Sequence, residues 1–157
     1  MANFGRSPAT GAFLAGMRDH GYELGRDFTL ELRQMHGHPE RYAELSDELV
    51  RLPVDILLAS VCGEPLNAAR RATKTIPIVV PTCNDDMVET GVIQSYRHPG
   101  GNVTGLSKLT PELAPKRLEL LKRVVPAMSR LGVLWNPDYS DFKADWRDFV
   151  AQRSDLG

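Results

Sequence analysis

The sequence predicts an α/β fold built on a parallel, doubly wound sheet. One reason is the pair of short apolar runs at 54–59 and 76–80, the composition of strands buried on both faces. A second is that segments of helical period separate the strand-like runs. Strands alternating with helices of this size argue for βαβ units. At 157 residues the chain has room for one ordinary domain.

Each element follows from local chemistry. Ser7-Pro8 opens a helix that is expected to turn Phe13 and Met17 inward and to stop near Gly21. Phe28, Leu30 and Leu32 alternate with polar residues, the period of a strand with one covered face. Pro39 starts a second helix with Tyr42, Leu45 and Leu49 on one side. The run at 54–59 is followed by a helix over about 65–73 and then by the run at 76–80. Pro99-Gly100-Gly101-Asn102 is a cluster of breakers, since Pro fixes φ and Gly tolerates positive φ. A short strand at 103–106 follows it. Thr110-Pro111-Glu112 supplies a hydroxyl cap, Pro at the first helical position and acid in the first turn. The helix that it opens has an apolar face of Leu113, Leu118, Leu121 and Val125. A last apolar run, 131–135, ends at Asn136-Pro137.

Composition removes several function classes. A net charge of −1, with no basic stripe carrying interleaved aromatics, argues against a nucleic-acid or anionic-membrane surface. No apolar run approaches the roughly 20 residues that cross a bilayer. The start, MANFGRSPATGAF, lacks the apolar core of a secretory signal, which taken alone indicates the cytoplasm. Neither G-x-G-x-x-G nor a Walker sequence is present, and no cofactor is expected. His36-Gly37-His38 has no third ligand and reads as a solvated turn, so no metal is expected. Lys108, Lys116, Arg117, Lys122 and Arg123 read as the solvated face of one helix.

In open α/β sheets, ligands bind beyond the carboxyl ends of the strands. Three segments fall at that edge: 60–64, 82–86 and 136–140. Cys62 and Cys83 follow two different strands there and are expected to be neighbours. They are either bridged or, as the favoured reading, two small buried residues. By themselves they leave the redox compartment open. An enzyme with Cys83 as nucleophile and His98 as base is the competing class, though nothing in the sequence supplies an orienting partner or an oxyanion signature.

The block HPGGNVTGLS, the helix KRLELLK and the strand GVLWNP closely resemble the ABC-transporter substrate-binding protein family, in which RPGGNVTGLS, KRLELLK and VAVLWNP are frequent. The likeness extends upstream through Gly21-Tyr22, Glu31-Leu32-Arg33, Arg71-Ala72-Thr73 and 75–79, yet the chain has about half of that family's usual length. The resemblance implies a periplasmic-binding-protein lobe over 1–107 that lacks its first strand. Residues 108–157 would be a crossover helix and the start of a second lobe, and a piece of this kind is expected to be marginally stable. It also implies a non-enzymatic receptor, periplasmic or lipid-anchored, that captures an amino acid or small carboxylate and presents it to a membrane permease. The implied ligand-lining residues are Ser60, Cys62, Gly63, Thr82, Cys83, Asn84 and Asn136. The chain departs from the family at Cys62-Gly63-Glu64, where a Gly-Thr-Pro turn is usual and a hydroxyl contact is lost. It departs again at Asp86-Met87, where Asp-Pro is usual and Asp86 reads as a cap, and at His98, where Arg is usual. A fragment with no independent binding is the remaining alternative.

Overall fold

The computed structural model describes residues 8–108 and 110–132, which divide into two units at Gln34/Met35. The first unit holds α1 (Pro8–Asp19) and a turn closed by an isolated bridge between Leu24 and Phe28. Gly21 and Gly25 take positive φ in that turn. Arg26 binds Asp27, Glu23 and the Gly21 carbonyl across it.

The second unit begins with a single 3-10 turn, Pro39–Arg41, that runs into α2 (Tyr42–Arg51). There follow β1 (Leu57–Leu58), α3 (Glu64–Ala72), β2 (Ile78–Cys83), β3 (Val103–Ser107) and α4 (Thr110–Val124). The strands form one parallel sheet in the order β1-β2-β3. Leu57, Ile78 and Val103 stand in register and are all buried. With Ala59 and Val80 they make the covered face of the sheet. Leu66 and Ala69 of α3 pack against it, as do Met87 and Ile93 of the loop between β2 and β3. The parallel α/β class expected from the sequence is therefore present.

Several expectations are corrected. The alternating segment 28–32 makes no ladder: a strand needs a hydrogen-bonding neighbour, and within its unit the described residues offer only the Leu24–Phe28 bridge. No residue of α1 is buried, so Phe13 and Met17 are not turned into a core. The run 54–59 yields only a two-residue strand, and it is not covered on both faces. Leu57 is buried, whereas Ile56 and Leu58 are 58% and 49% exposed. Leu106 of β3, on the same period as these, is 71% exposed. Apolar composition fits either arrangement, because only the packed neighbours decide how many faces are covered.

The strand expected at 76–80 starts at Ile78 and continues to Cys83. It runs past Pro81 through a bulge, since Val80 pairs with Gly105 but Cys83 pairs with Ser107. Proline donates no backbone hydrogen bond and is tolerated in a strand at such a place. The apolar side expected of α4 is uncovered at Leu121 and at Val125, which lies just past the helix end. Of the last expected strand, 131–135, only Leu131 and Gly132 are described, and neither is in a ladder; the rest lies outside the described residues. Among the described residues, no helix is long and apolar enough to cross a membrane.

Candidate ligand-binding rim

The two edges of the sheet are built differently. At the amino edge, Asn102 enters β3 and closes the approach to β2. Its side-chain amide donates to the Ile76 carbonyl at 2.8 Å and to the Thr73 carbonyl at 3.4 Å. Its own carbonyl accepts from Ile78 N at 2.7 Å. Thr73 is buried, and its hydroxyl oxygen accepts from the Thr75 and Ile76 amides. Two residues into β3, Gly105 lets the strands approach, for a Cβ there would collide with the Val80 carbonyl oxygen. The Gly-Gly-Asn-Val-Thr-Gly block is thus a backbone clamp at the edge opposite the candidate site.

The carboxyl edge carries the residues that the sequence singles out. Ser60 is exposed just after β1, and Gly63, at φ 85°, is the N-cap of α3. Glu64 in the first turn of that helix pairs with Arg71. Thr82 and Cys83 end β2, and Asn84 follows, half-buried. The Thr82 hydroxyl oxygen is buried and makes no hydrogen bond to the described residues. Ser107 at the end of β3 donates to the Asp85 carbonyl at 2.7 Å, and Lys108 N donates to the Cys83 carbonyl at 2.7 Å. Asn136 and the rest of 136–140 lie outside the described residues.

Cys62 and Cys83 form a disulfide with their Cα atoms 5.0 Å apart, which corrects the favoured reading of two free buried thiols. The register explains why they meet. Leu58 pairs with Val79, and each cysteine lies four residues beyond its member of that pair. Both are buried, at 5% and 1% exposure. A sulfur committed to this bond supplies no thiolate, so the competing enzyme reading has no Cys83 nucleophile while the bond is intact.

Beyond Cys83 the chain folds over the sheet through a network that was not legible as a unit. The Asp86 carboxylate accepts from Val88 N at 2.7 Å and from the Tyr96 hydroxyl at 2.9 Å, and the Tyr96 oxygen accepts from Met87 N at 3.2 Å. Burial pushes the Asp86 carboxyl upward, but hydrogen bonds from Val88, Tyr96 and Glu89 outweigh it and hold the group below its ordinary value. Asp86 is therefore a cap, as its type and place suggest. Tyr96 was missed, because nothing in sequence spacing ties a residue ten positions downstream to that carboxylate. At His36-Gly37-His38 both imidazoles are exposed, with His38 Nδ1 3.0 Å from Glu40 Oε1.

A parallel α/β sheet with its loops gathered at the carboxyl edge defines a class whose ligands sit at that edge. The match to known sequences is more specific. Residues 5–154 match the family described as ABC transporter substrate binding protein, and the chain belongs to that family. A tyrosine-binding protein of Clostridioides difficile (strain R20291) is 31% identical over 124 residues, covering 79% of this chain and 35% of that protein. Among solved structures, a conserved domain protein from Vibrio cholerae is similar with a TM-score of 0.73 and 28% identity, over 93% of this chain and 47% of that one. A Streptococcus pneumoniae ABC domain in complex with L-Trp gives a TM-score of 0.75 at 23% identity, over 96% of this chain and 50% of that one, and shows likeness of fold. The chain thus spans about a third of the curated relative and about half of the solved relatives.

Proposed function

We infer that this chain supplies the first ligand-binding lobe, over residues 1–107, of an ABC-transporter substrate-binding component. Residues 108–157 lead into the second lobe. The ligand is an amino acid with an aromatic side chain, held by Ser60, Cys62, Gly63, Thr82, Cys83, Asn84 and Asn136. It is delivered to a membrane permease, with no covalent chemistry. The observation that carries this reading is the rim itself, where the 60–63 turn is bonded to the end of β2 at the sheet's ligand-bearing edge. The buried Thr82 hydroxyl adds to it, because an unsatisfied polar atom costs about 1–3 kcal/mol until a partner arrives. The tyrosine-binding relative and the L-Trp complex suggest the ligand class. Family membership and the disulfide both favour an extracytoplasmic location, since disulfides persist in oxidising compartments.

Calorimetric titration with L-Tyr, L-Trp, L-Ala and L-Glu tests the proposal. Saturable heat with the aromatic pair, weakened by Thr82→Val, is the expected result. Equal response to all four, or none, would count against it.

A further inference from the structure

We propose that the Cys62–Cys83 disulfide is a redox-sensitive positioning element that fixes one half of the rim, so that its reduction releases the 60–63 turn while the sheet and the other half stay in place. The proposal rests on the rim being the ligand site, and it adds regulation to that site.

The two halves are tethered differently. The 82–86 segment is held toward β3 by Lys108 N on the Cys83 carbonyl, by Ser107 on the Asp85 carbonyl, and by the Cys83–Ser107 register pair. The next residues are anchored by the Asp86–Tyr96 network and by fully buried Met87. None of these holds depends on Cys62. The 60–63 turn stands otherwise. The β1–β2 ladder closes with Ala59 N donating to the Val79 carbonyl at 3.0 Å, three residues before Cys62. Its strand, β1, has only two residues, and α3 begins at once with Glu64. Across that gap the covalent link to Cys83 ties the turn to β2.

Reduction is a two-electron exchange. A dithiol reductant becomes its cyclic disulfide, and the Cys62–Cys83 bond becomes two thiols carrying the two protons. Both sulfurs belong to buried residues, so the reductant gains access only when the rim opens, and the oxidised form persists in an oxidising compartment. Once cleaved, the turn carrying Ser60 and Gly63 samples many positions, and the ligand must then pay for ordering it.

The test compares three forms of the full chain: oxidised, reduced by a dithiol under native conditions, and C62A/C83A. Amide hydrogen exchange is read by mass spectrometry, with circular dichroism as the check on folding. We expect exchange at 60–64 to be about tenfold faster in the reduced and variant forms, and to change by less than about twofold at 78–80 and 107–108. Uniform acceleration across the sheet, or collapse of the dichroism signal on reduction, would make the bond a general staple and overturn the proposal; so would unchanged exchange at 60–64. If the variant does not fold, the reduced natural sequence decides. Titration with L-Tyr and L-Trp is the second arm, expected to show affinity about tenfold weaker on reduction. Equal affinity in both forms overturns the regulatory claim. An oxidised chain that binds neither amino acid defeats the functional reading instead, and exchange alone then judges the role of the bond.

Discussion

At the scale of single residues, the most family-like block does backbone work. Gly105 is required because the space a side chain would occupy is already filled by the Val80 carbonyl oxygen. Gly105→Ala is expected to destabilise the chain by about 1–3 kcal/mol, the usual cost of forced overpacking, as read from the urea midpoint. Thr104→Ala, one position away and exposed, serves as the control with little change. Asp86 supports a second prediction, on pH. Its folded-state carboxyl sits below the ordinary value, so its contribution is fully present above the unfolded pKa of about 3.9 and is lost as the pH falls through the lower folded value. Tyr96→Phe removes one of the bonds that lower it. The stability gap between natural protein and Y96F should therefore narrow between neutral pH and strongly acid pH, and a gap that widens on acidification would contradict the assignment.

Among the described residues of the helices, those of α3 carry the most of the core. Leu66 is almost wholly buried between its helix and the sheet, whereas Leu58 of β1 is half-exposed. Leu66→Ala is expected to cost about 2–5 kcal/mol, while Leu58→Ala should cost under about 1 kcal/mol, both by denaturant titration. The contrast marks what a sequence can disclose. Helix limits were legible: α3 and α4 begin within a residue of their proline signals, because cap and φ preferences are local. Strand extents were not. The runs at 54–59 and 28–32 look as strand-like as the one at 76–80, yet pairing belongs to a neighbour distant in sequence, and only the last became a full strand. The Cys62–Cys83 bond sits between these cases. That both residues follow strands at one sheet edge could be read; that they lie at matching offsets from the Leu58–Val79 pair needed the register. The same holds for the Thr82 hydroxyl, which lies within the irregular stretch between Val80 and Cys83 and is buried without a partner among the described residues, a state that no feature of its own sequence context announces.

For the chain as a whole, stability should divide as burial divides. No described residue from 8 to 34 is buried, and the ion pairs of its turn, Arg26 with Glu23 and Asp27, are exposed and contribute little. From 35 onward the fully buried Ile78, Val80, Met87 and Leu66 gather around one covered sheet face. Local opening is easiest where few apolar groups leave water, so brief trypsin treatment is expected to cut at Arg18, Arg26 and Arg33 before Arg70 and Arg71. Arg71 lies in α3 on the side away from Leu66 and Ala69, while Arg70, one turn on from Leu66, is partly covered and donates to the Gly91 carbonyl. Cutting at either requires that core-packed helix to open. Mass spectrometry of the early fragments decides the order. A ligand that docks on the 60–64 and 82–86 rim should slow the cuts in α3, because binding stabilises the unit that holds the site. Unchanged cutting at Arg70 and Arg71 under saturating ligand would contradict a site on that rim.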